Sequence, residues 1–439
     1  MDYTMNEVLR FVEENDVKFV RLAFCDIFGT LKNISIMAND LERAFQQGIG
    51  FDASAVEGFM NVEESDLLLF PDPGTLAVLP WRPAQGRVVR FYCDIRHPDG
   101  RPFAGDGRSI LKNAVAKAAA AGYEVRVGAE CEFYLFQMDE HGEPTNIPHD
   151  QGGYLDIAPL DRGENVRREI CLTLEEMGIY PESSHHEQGP GQNEIDFRYS
   201  DALSCADNFI TFKSVVRTIA ARDGLFASFM PKPFPDKSGS GMHINLSLFK
   251  DGINLFTNRG NFHSPVAHSF IAGVMRRIPE ITLFLNPTAN SYRRLGAFEA
   301  PAYVSWSREN RSQLIRIPAA DGEYARFELR SPDPQCNPYH AFALLMEAGL
   351  EGVREGLPLP EPLNLNLYAA PAALLAQCEK LPGDLGEAVE KAASSAFVSR
   401  ALPQETVEKL VCVRKKEWRD CQAAADRDGF EWRHSFDRL

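Results

Sequence analysis

Residues 127–136 read VGAECEFYLF, and the alternation within this stretch decides the fold. Aromatic and aliphatic residues at period two read as a strand, on which residues i and i+2 face the same side. Glu130 and Glu132 therefore point together, while Cys131, Phe133 and Leu135 point into a core. Two like charges side by side on one sheet face repel unless a cation lies between them. Two further stretches repeat the design. In GSGMHINLSLF (239–249), His243, Asn245 and Ser247 share one face, with Met242, Ile244, Leu246 and Leu248 on the other. In ARFELRSPDP (325–334), Arg326, Glu328 and Arg330 lie opposite Phe327 and Leu329. Three strands, each with one apolar side and one loaded with charge or imidazole, predict a sheet whose concave face is a site.

Taken singly, each pattern has a plainer explanation. An ExE pair suits a solvated strand face, and a strand histidine suits a structural role. HHEQGPGQNE (185–194) is more pointed, because Glu187 and Glu194 bracket a Gly-Pro-Gly turn that brings two carboxylates close, although an ordinary surface turn fits the same segment. Together, Glu130, Glu132, Glu187, Glu194, Glu328 and His243 form an oxygen-rich, thiolate-free set. Such hard ligands suit Mg²⁺ or Mn²⁺, and six are too many for one Mg²⁺, so two or more ions are expected. Between 293 and 330 lie seven arginines: 293, 294, 308, 311, 316, 326 and 330. Arginine grips phosphate and carboxylate bidentately, so metals plus arginines point to phosphoryl transfer with an anionic substrate. A structural salt-bridge network is the competing account.

The rest of the chain sets the frame. Its 439 residues are 44% hydrophobic and 25% charged, which excludes a disordered, collagenous or disulfide-stapled protein. The net charge of -16 disfavours nucleic acid and anionic lipid as partners. Nine scattered cysteines without a CxxC pair argue against a disulfide framework and a thiolate zinc site. The first residues, MDYTMNEVLRFVEEN, lack a continuous apolar segment, and no stretch reaches the about 18 apolar residues of a membrane span, so a cytoplasmic, reduced setting is expected. Residues 5–15 read as a helix, 17–24 and 30–36 as a hairpin turning at Gly29, and 97–107, rich in Gly and Pro, as the domain boundary. Helices are expected at 161–178, 201–222, 338–353 and 404–426. They interleave irregularly with strands, and no phosphate-binding glycine loop follows a strand, so the layout is α+β.

Eight runs, in order along nearly the whole chain, resemble bacterial type I glutamine synthetase: FDASAVEGF with EESDLLLFPD, GAECEFYLF, HHEQGPGQNE, MPKPFPDKSGSGMHINLSL, NPTANSYRRLGAFEAP, SRENRSQLIRIP and RFELRSPDPQCNPYHAFALLMEAGL. The resemblance implies a β-grasp domain over 1–103. It also implies a larger catalytic domain over 104–439, with a curved antiparallel sheet forming an open, barrel-like active-site face flanked by helices. It further implies a dodecamer of two hexameric rings with active sites between subunits, and a reaction in which ATP phosphorylates the γ-carboxylate of L-glutamate and ammonium then gives L-glutamine. Glu132, Glu187 and Glu194 would hold one divalent ion and Glu130, His243 and Glu328 the second. Glu182, Asn245, Ser247, Arg311 and Arg316 match ATP-contacting positions. Ser238, Gly239, Arg294, Glu299, Arg311 and Arg330 match positions around glutamate, with Arg311 and Arg330 offsetting charge on the phosphoryl group in flight. Glu299 belongs to a flap that excludes water from the acyl phosphate. Asp52 matches an aspartate that a neighbouring subunit lends to deprotonate ammonium, and Asp66 and Tyr154 complete that ammonium site.

Several positions depart from the family pattern. Ser238 stands where Asn is usual, Ala55 replaces a Ser hydroxyl near the ammonium site, the flap is one residue short, and Glu323 replaces a nucleotide-contacting lysine of some members. NLNLYAAP around Tyr368 resembles a segment that some members adenylylate, but the flanks differ and no modification is expected. These departures keep open a ligase for a larger amine, such as a polyamine or ethanolamine. A catalytically silent scaffold with the same rings is a further rival, against which the presence of all six ligands argues; without the resemblance, a two-metal phosphohydrolase is the best alternative.

Overall fold

The computed structural model describes residues 3–257 and 264–437. The N-terminal part begins with the helix Met5–Glu14, started by a Thr4–Glu7 capping box, in which hydroxyl and carboxylate satisfy each other's backbone donors. Strands β1 (Val17–Cys25) and β2 (Leu31–Met37) pair antiparallel as expected. The turn between them is tied by Asp26, whose carboxylate accepts the N–H of Phe28 and of Thr30, each at 2.9 Å. Gly29 takes φ +84°, and a Cβ there would lie 2.9 Å from the Cα of Asn337, so both backbone conformation and space demand glycine. β3 (Ile49–Asp52), β4 (Asp66–Pro71), β5 (Ala77–Val78) and β6 (Arg87–Arg96) complete a six-stranded sheet in the order β2-β1-β6-β4-β3, with β5 on β6. Its β1–β6 pair is parallel.

The second sheet carries eleven strands: β7 (Glu124–Met138), β8 (Pro144–Pro148), β9 (Pro181–His186), β10 (Gln192–Phe197), β11 (Ser200–Asp201), β12 (Leu225–Ser228), β13 (Met242–Lys250), β14 (Ile253–Asn254), β15 (Trp306–Arg308), β16 (Ile315–Ile317) and β17 (Phe327–Leu329). Its main path runs β15-β16-β17-β13-β7-β10-β9. The sheet curves like half a barrel with helices against it, as expected, but it is not wholly antiparallel: β15 and β16 run parallel. Cys131, Phe133 and Leu135 are fully buried on its helix side. One apolar core continues from the N-terminal sheet through this sheet to the C-terminal helices.

Expected helices appear at Glu164–Glu176, Ala202–Arg222, Pro338–Glu355 and Gln404–Ala423. The last is shorter than expected, and a separate helix, Arg427–Ser435, follows it. The structure adds a 21-residue helix, Pro265–Leu285, that the sequence pattern does not announce. Fifteen of its residues are buried, so only a narrow polar strip, Arg276, Arg277 and Glu280, is left to mark a helical period, and Pro279 lies inside it. All nine cysteines are free thiols. No helix among the described residues is long and apolar enough to cross a membrane.

Two networks join the N-terminal sheet to the rest. Arg108, 4% exposed, donates to Asp207 at 3.0 Å, Asp72 at 2.9 Å and Asp94 at 3.1 Å, and the Tyr339 hydroxyl donates to Asp207 at 2.6 Å. Asn337 donates to the Ile27 carbonyl at 3.2 Å.

Candidate active site

Strand register assembles the site. Across β13, β7, β10 and β9, His243 lies opposite Glu130, Glu130 opposite Asp196, and Asp196 opposite Ser183. One step along, Glu132 faces Glu194 and Glu194 faces His185. On the other flank Asn245 faces Glu328, and Glu328 faces Arg316. Directly opposed carboxylates destabilise a sheet, yet here they occur twice in adjacent rows.

A cavity of about 600 Å³ opens over these rows. Of the expected residues it is lined by Glu130, Glu132, Glu187, Glu194 and His243, and by Tyr154, Ser238, Gly239, Arg294, Glu299, Arg311, Arg316 and Arg330. Glu328 lies just beneath, 1% exposed. Its carboxylate is held by Arg316 and Arg330 and sits 3.5 Å from His243 Nδ1. A second cleft of about 160 Å³ shares Glu130, Asp196 and Arg326 with the first and is lined by Glu182, Asn245, Ser247 and Glu323. Asn245 binds both neighbours there, donating to Glu130 at 2.8 Å and accepting from Arg326 at 2.9 Å. Asp52 and Asp66 line neither cavity. They face each other in register on β3 and β4, both exposed, and Asp52 accepts the Ser54 hydroxyl at 2.6 Å.

Of the seven arginines, five line these cavities. Arg293 turns away to Glu431 and Asp428, and Arg308 lines neither cavity. Arg294 points at backbone, donating to the carbonyls of Ser331 at 2.8 Å and Arg330 at 3.1 Å. It thereby fixes the segment that carries Arg330.

Among the described residues three groups of ligand atoms converge within 4.8 Å: Glu130, Glu194 and His243, and His185, Glu187 and Glu194, both in the site, and Asp150, Asp161 and His186, which line neither cavity. Glu132 lies beside the two groups in the site, accepting the Gly241 N–H at 2.7 Å and the Gln192 amide at 3.2 Å. His185 and Asp196 were not singled out from the sequence. Both follow the period-two rule, at two residues before Glu187 and two after Glu194. Electrostatics fits a cation. Burial and the surrounding carboxylates push Glu194 well above its ordinary value, and burial and Glu130 push Asp196 up to about 6. Burial likewise raises Glu132. Glu130 and Glu187 are the exceptions: against burial, hydrogen bonds from His243 and Asn245 hold Glu130 at about 2, and those from His185 and the Gln188 N–H lower Glu187. One Asp196 oxygen is buried without a hydrogen-bond partner. Oxygen and imidazole donors, no thiolate and an unanswered excess of negative charge are what a hard divalent ion requires.

Fold and face together suit an enzyme that handles an anionic substrate with divalent ions and arginines. Comparison with known proteins narrows that class: residues 104–433 match the family model of the glutamine synthetase catalytic domain and residues 16–98 that of its β-grasp domain, and the chain belongs to the glutamine synthetase family. It is a ligase with that superfamily's ATP-dependent, amide-bond-forming chemistry. The glutamine synthetase of Clostridium saccharobutylicum is 48% identical over 423 residues, covering 95% of this chain and 96% of that protein. That of Methanosarcina mazei is 48% identical over 425 residues, covering 96% and 95%. Among solved structures, GmaS without ligand superposes with a TM-score of 0.87 at 32% identity, covering 98% of this chain and 99% of that one. A GmaS complex with ADP gives the same score at 31% identity and the same coverage.

Proposed function

We propose that the protein joins the γ-carboxylate of L-glutamate to a primary amine larger than ammonia, using ATP to form γ-glutamyl phosphate. The observation that carries the choice of amine is Ala55. An ammonium ion has four N–H donors and binds tightly only where four acceptors meet it, because each buried donor left unpaired is costly. By its resemblance to the family, the β3–β4 edge of a neighbouring copy supplies that pocket with Asp52 and Asp66. There a methyl group replaces the hydroxyl. A primary alkylammonium has three donors and an apolar substituent, which suits two carboxylates, Tyr154 and an alanine. The likeness to GmaS supports the same reading. Identity of 48% to glutamine synthetases favours a second one, in which ammonium is the acceptor.

In either case Glu130, Glu194 and His243, and His185, Glu187 and Glu194, would hold divalent ions, with Glu132 and Glu328 adjacent. An ion bound there would offset charge on the ATP phosphates. Glu182, Asn245 and Ser247 line the cleft proposed for the nucleotide. Arg311, Arg316 and Arg330 present donors to the transferring phosphoryl group, whose equatorial oxygens they stabilise. Ser238 and Gly239 border the glutamate end. The alkylammonium loses one proton to Asp52, its nitrogen attacks the γ-carbonyl carbon, the carbon–oxygen bond to phosphate breaks, and the nitrogen's second proton leaves with the phosphate.

Glutamate-dependent ADP release measured with ammonium, methylammonium, ethanolamine and putrescine tests this, with products identified by mass. The expected result is kcat/KM at least tenfold higher for one of the amines than for ammonium, with Ala55→Ser reversing the preference. Saturation by ammonium alone would establish the second reading, and no glutamate-dependent ADP release with any acceptor would dismiss both.

A further inference from the structure

The cavity is overhung by a turn in which two consecutive non-glycine residues, Phe298 and Glu299, hold φ of 48° and 64°. L-residues rarely adopt this conformation, and they persist in it only where surroundings over-determine it. Within the turn, the Gly296 N–H donates to the Ala300 carbonyl at 3.0 Å, and the Ala300 N–H donates to Ala297 at 3.1 Å. Two side chains from distant parts of the chain grip it from outside. Lys232 places its ammonium 4.0 Å from the centre of the Phe298 ring. The Tyr368 hydroxyl donates to the Ala300 carbonyl at 3.0 Å.

Lys232 is an unusual cation. It is 6% exposed and makes no ion pair among the described residues. Its ammonium donates to the Lys237 carbonyl, and its backbone is bound in both directions by Asn290, at 2.7 and 3.2 Å. Burial and the nearby Arg294 guanidinium lower it to about 8 against the pull of Asp236. A cation kept buried without a carboxylate has the aromatic face as its remaining attraction. Phe298, for its part, is 47% exposed and has no core to hold it down.

We propose that Lys232, seated under the Phe298 ring, and Tyr368, bonded to Ala300, are positioning residues that hold this turn closed, with Glu299 beside Arg330 over the reacting carboxylate. The Glu299 carbonyl is 3.4 Å and its carboxylate 3.9 Å from Arg330. The inference rests on the proposed acyl-phosphate reaction. With the turn loosened, water attacks the γ-carbonyl carbon of γ-glutamyl phosphate, the carbon–oxygen bond to phosphate breaks, and glutamate, phosphate and a proton are released without amide. ATP is then consumed to no product.

The test compares phosphate released with amide formed in the wild-type protein, Lys232→Met, Lys232→Arg, Phe298→Leu and Tyr368→Phe. The wild type should give one phosphate per amide. Lys232→Met and Phe298→Leu should release at least threefold more phosphate than amide, with the KM for ATP changed less than twofold. Lys232→Arg, which keeps a cation under the ring, should restore coupling, and combining Lys232→Met with Phe298→Leu should be no worse than either alone. Tyr368→Phe should shift the ratio in the same direction. Hydrogen exchange of residues 295–301 provides an arm independent of turnover and should be at least fivefold faster in Lys232→Met and in Phe298→Leu. A wild type that never releases glutamate-dependent phosphate sinks the proposed reaction, and the exchange arm still judges the anchors. Coupled turnover in Lys232→Met, or unchanged exchange in both variants, overturns the positioning role.

Discussion

Replacing Glu194 by Gln should make the metal-free protein more stable while removing its response to metal. The magnitude follows from geometry. The Glu194 carboxylate approaches that of Glu130 and that of Glu187 within 4.8 Å. At an effective dielectric near 20, each such pair repels by about 3 kcal/mol. Protonating a carboxyl of ordinary pKa near 4.5 at pH 7 costs about 3 kcal/mol. Two repulsions together exceed that cost, so without a cation Glu194 takes up a proton, the direction in which burial also drives it. The native state then carries a penalty of about 3 kcal/mol that a neutral amide of the same shape does not. A chain of 439 residues unfolds with an entropy of about 0.9 kcal/mol per degree, so Glu194→Gln should raise the melting temperature in chelator by up to about 3 °C. Saturating Mn²⁺, at a hundred times its dissociation constant, should stabilise the wild type by about 2.7 kcal/mol, again about 3 °C, and the variant by much less. Scanning calorimetry of both proteins with chelator and with Mn²⁺ reads these four values. A variant that melts below the wild type in chelator yet keeps the full Mn²⁺ increment would refute the idea that this carboxylate is present for a cation.

Arg108→Met should remove the cation shared by three aspartates and leave Asp207 buried beside Tyr339; breaking a buried pair costs about 3–5 kcal/mol, so calorimetry should show a melting temperature lower by several degrees. His340 is 1% exposed, its Nε2 has no hydrogen-bond partner, and burial lowers it to about 4. Because its folded value lies below the unfolded value near 6.5, the stability it contributes is complete above that pH and is lost as pH falls toward 4. At pH 5 the loss is about 2 kcal/mol, and a His340→Gln variant should show a correspondingly flatter fall in melting temperature between pH 7 and pH 5.

Much of this site could be read from sequence because strands write their faces into alternate residues. Glu130, Glu132, His243 and Glu328 follow directly from that rule, and the Gly-Pro-Gly turn brought Glu187 and Glu194 into view. His185 and Asp196 obey the same rule, but a histidine and an aspartate on alternate residues mark a site only once cross-strand register sets them beside Glu194 and Glu130. Arg293 shows the opposite error: composition counted it with the site, but its partners, Glu431 and Asp428, are more than 130 residues away and no local pattern marks them. The helix Pro265–Leu285 was hidden because burial on nearly all sides erases amphipathic period. Lys232 and Tyr368 meet the flap from separate segments, a juxtaposition that only the folded chain displays.

The contact between Gly29 and Asn337 has a consequence for how the chain is made. The first turn of the N-terminal sheet is packed, through a glycine that leaves no room for a methyl, against backbone synthesised about 300 residues later, and Asp72 and Asp94 wait a shorter time for Asp207 and then Tyr339 to complete the network around Arg108. At elongation rates of about 5–20 residues per second, the longer interval lasts on the order of 15–60 seconds. During it, the emerging N-terminal sheet holds exposed the apolar surface that the later chain will cover, so the newborn protein depends on whatever shields that surface until its C-terminal third leaves the ribosome.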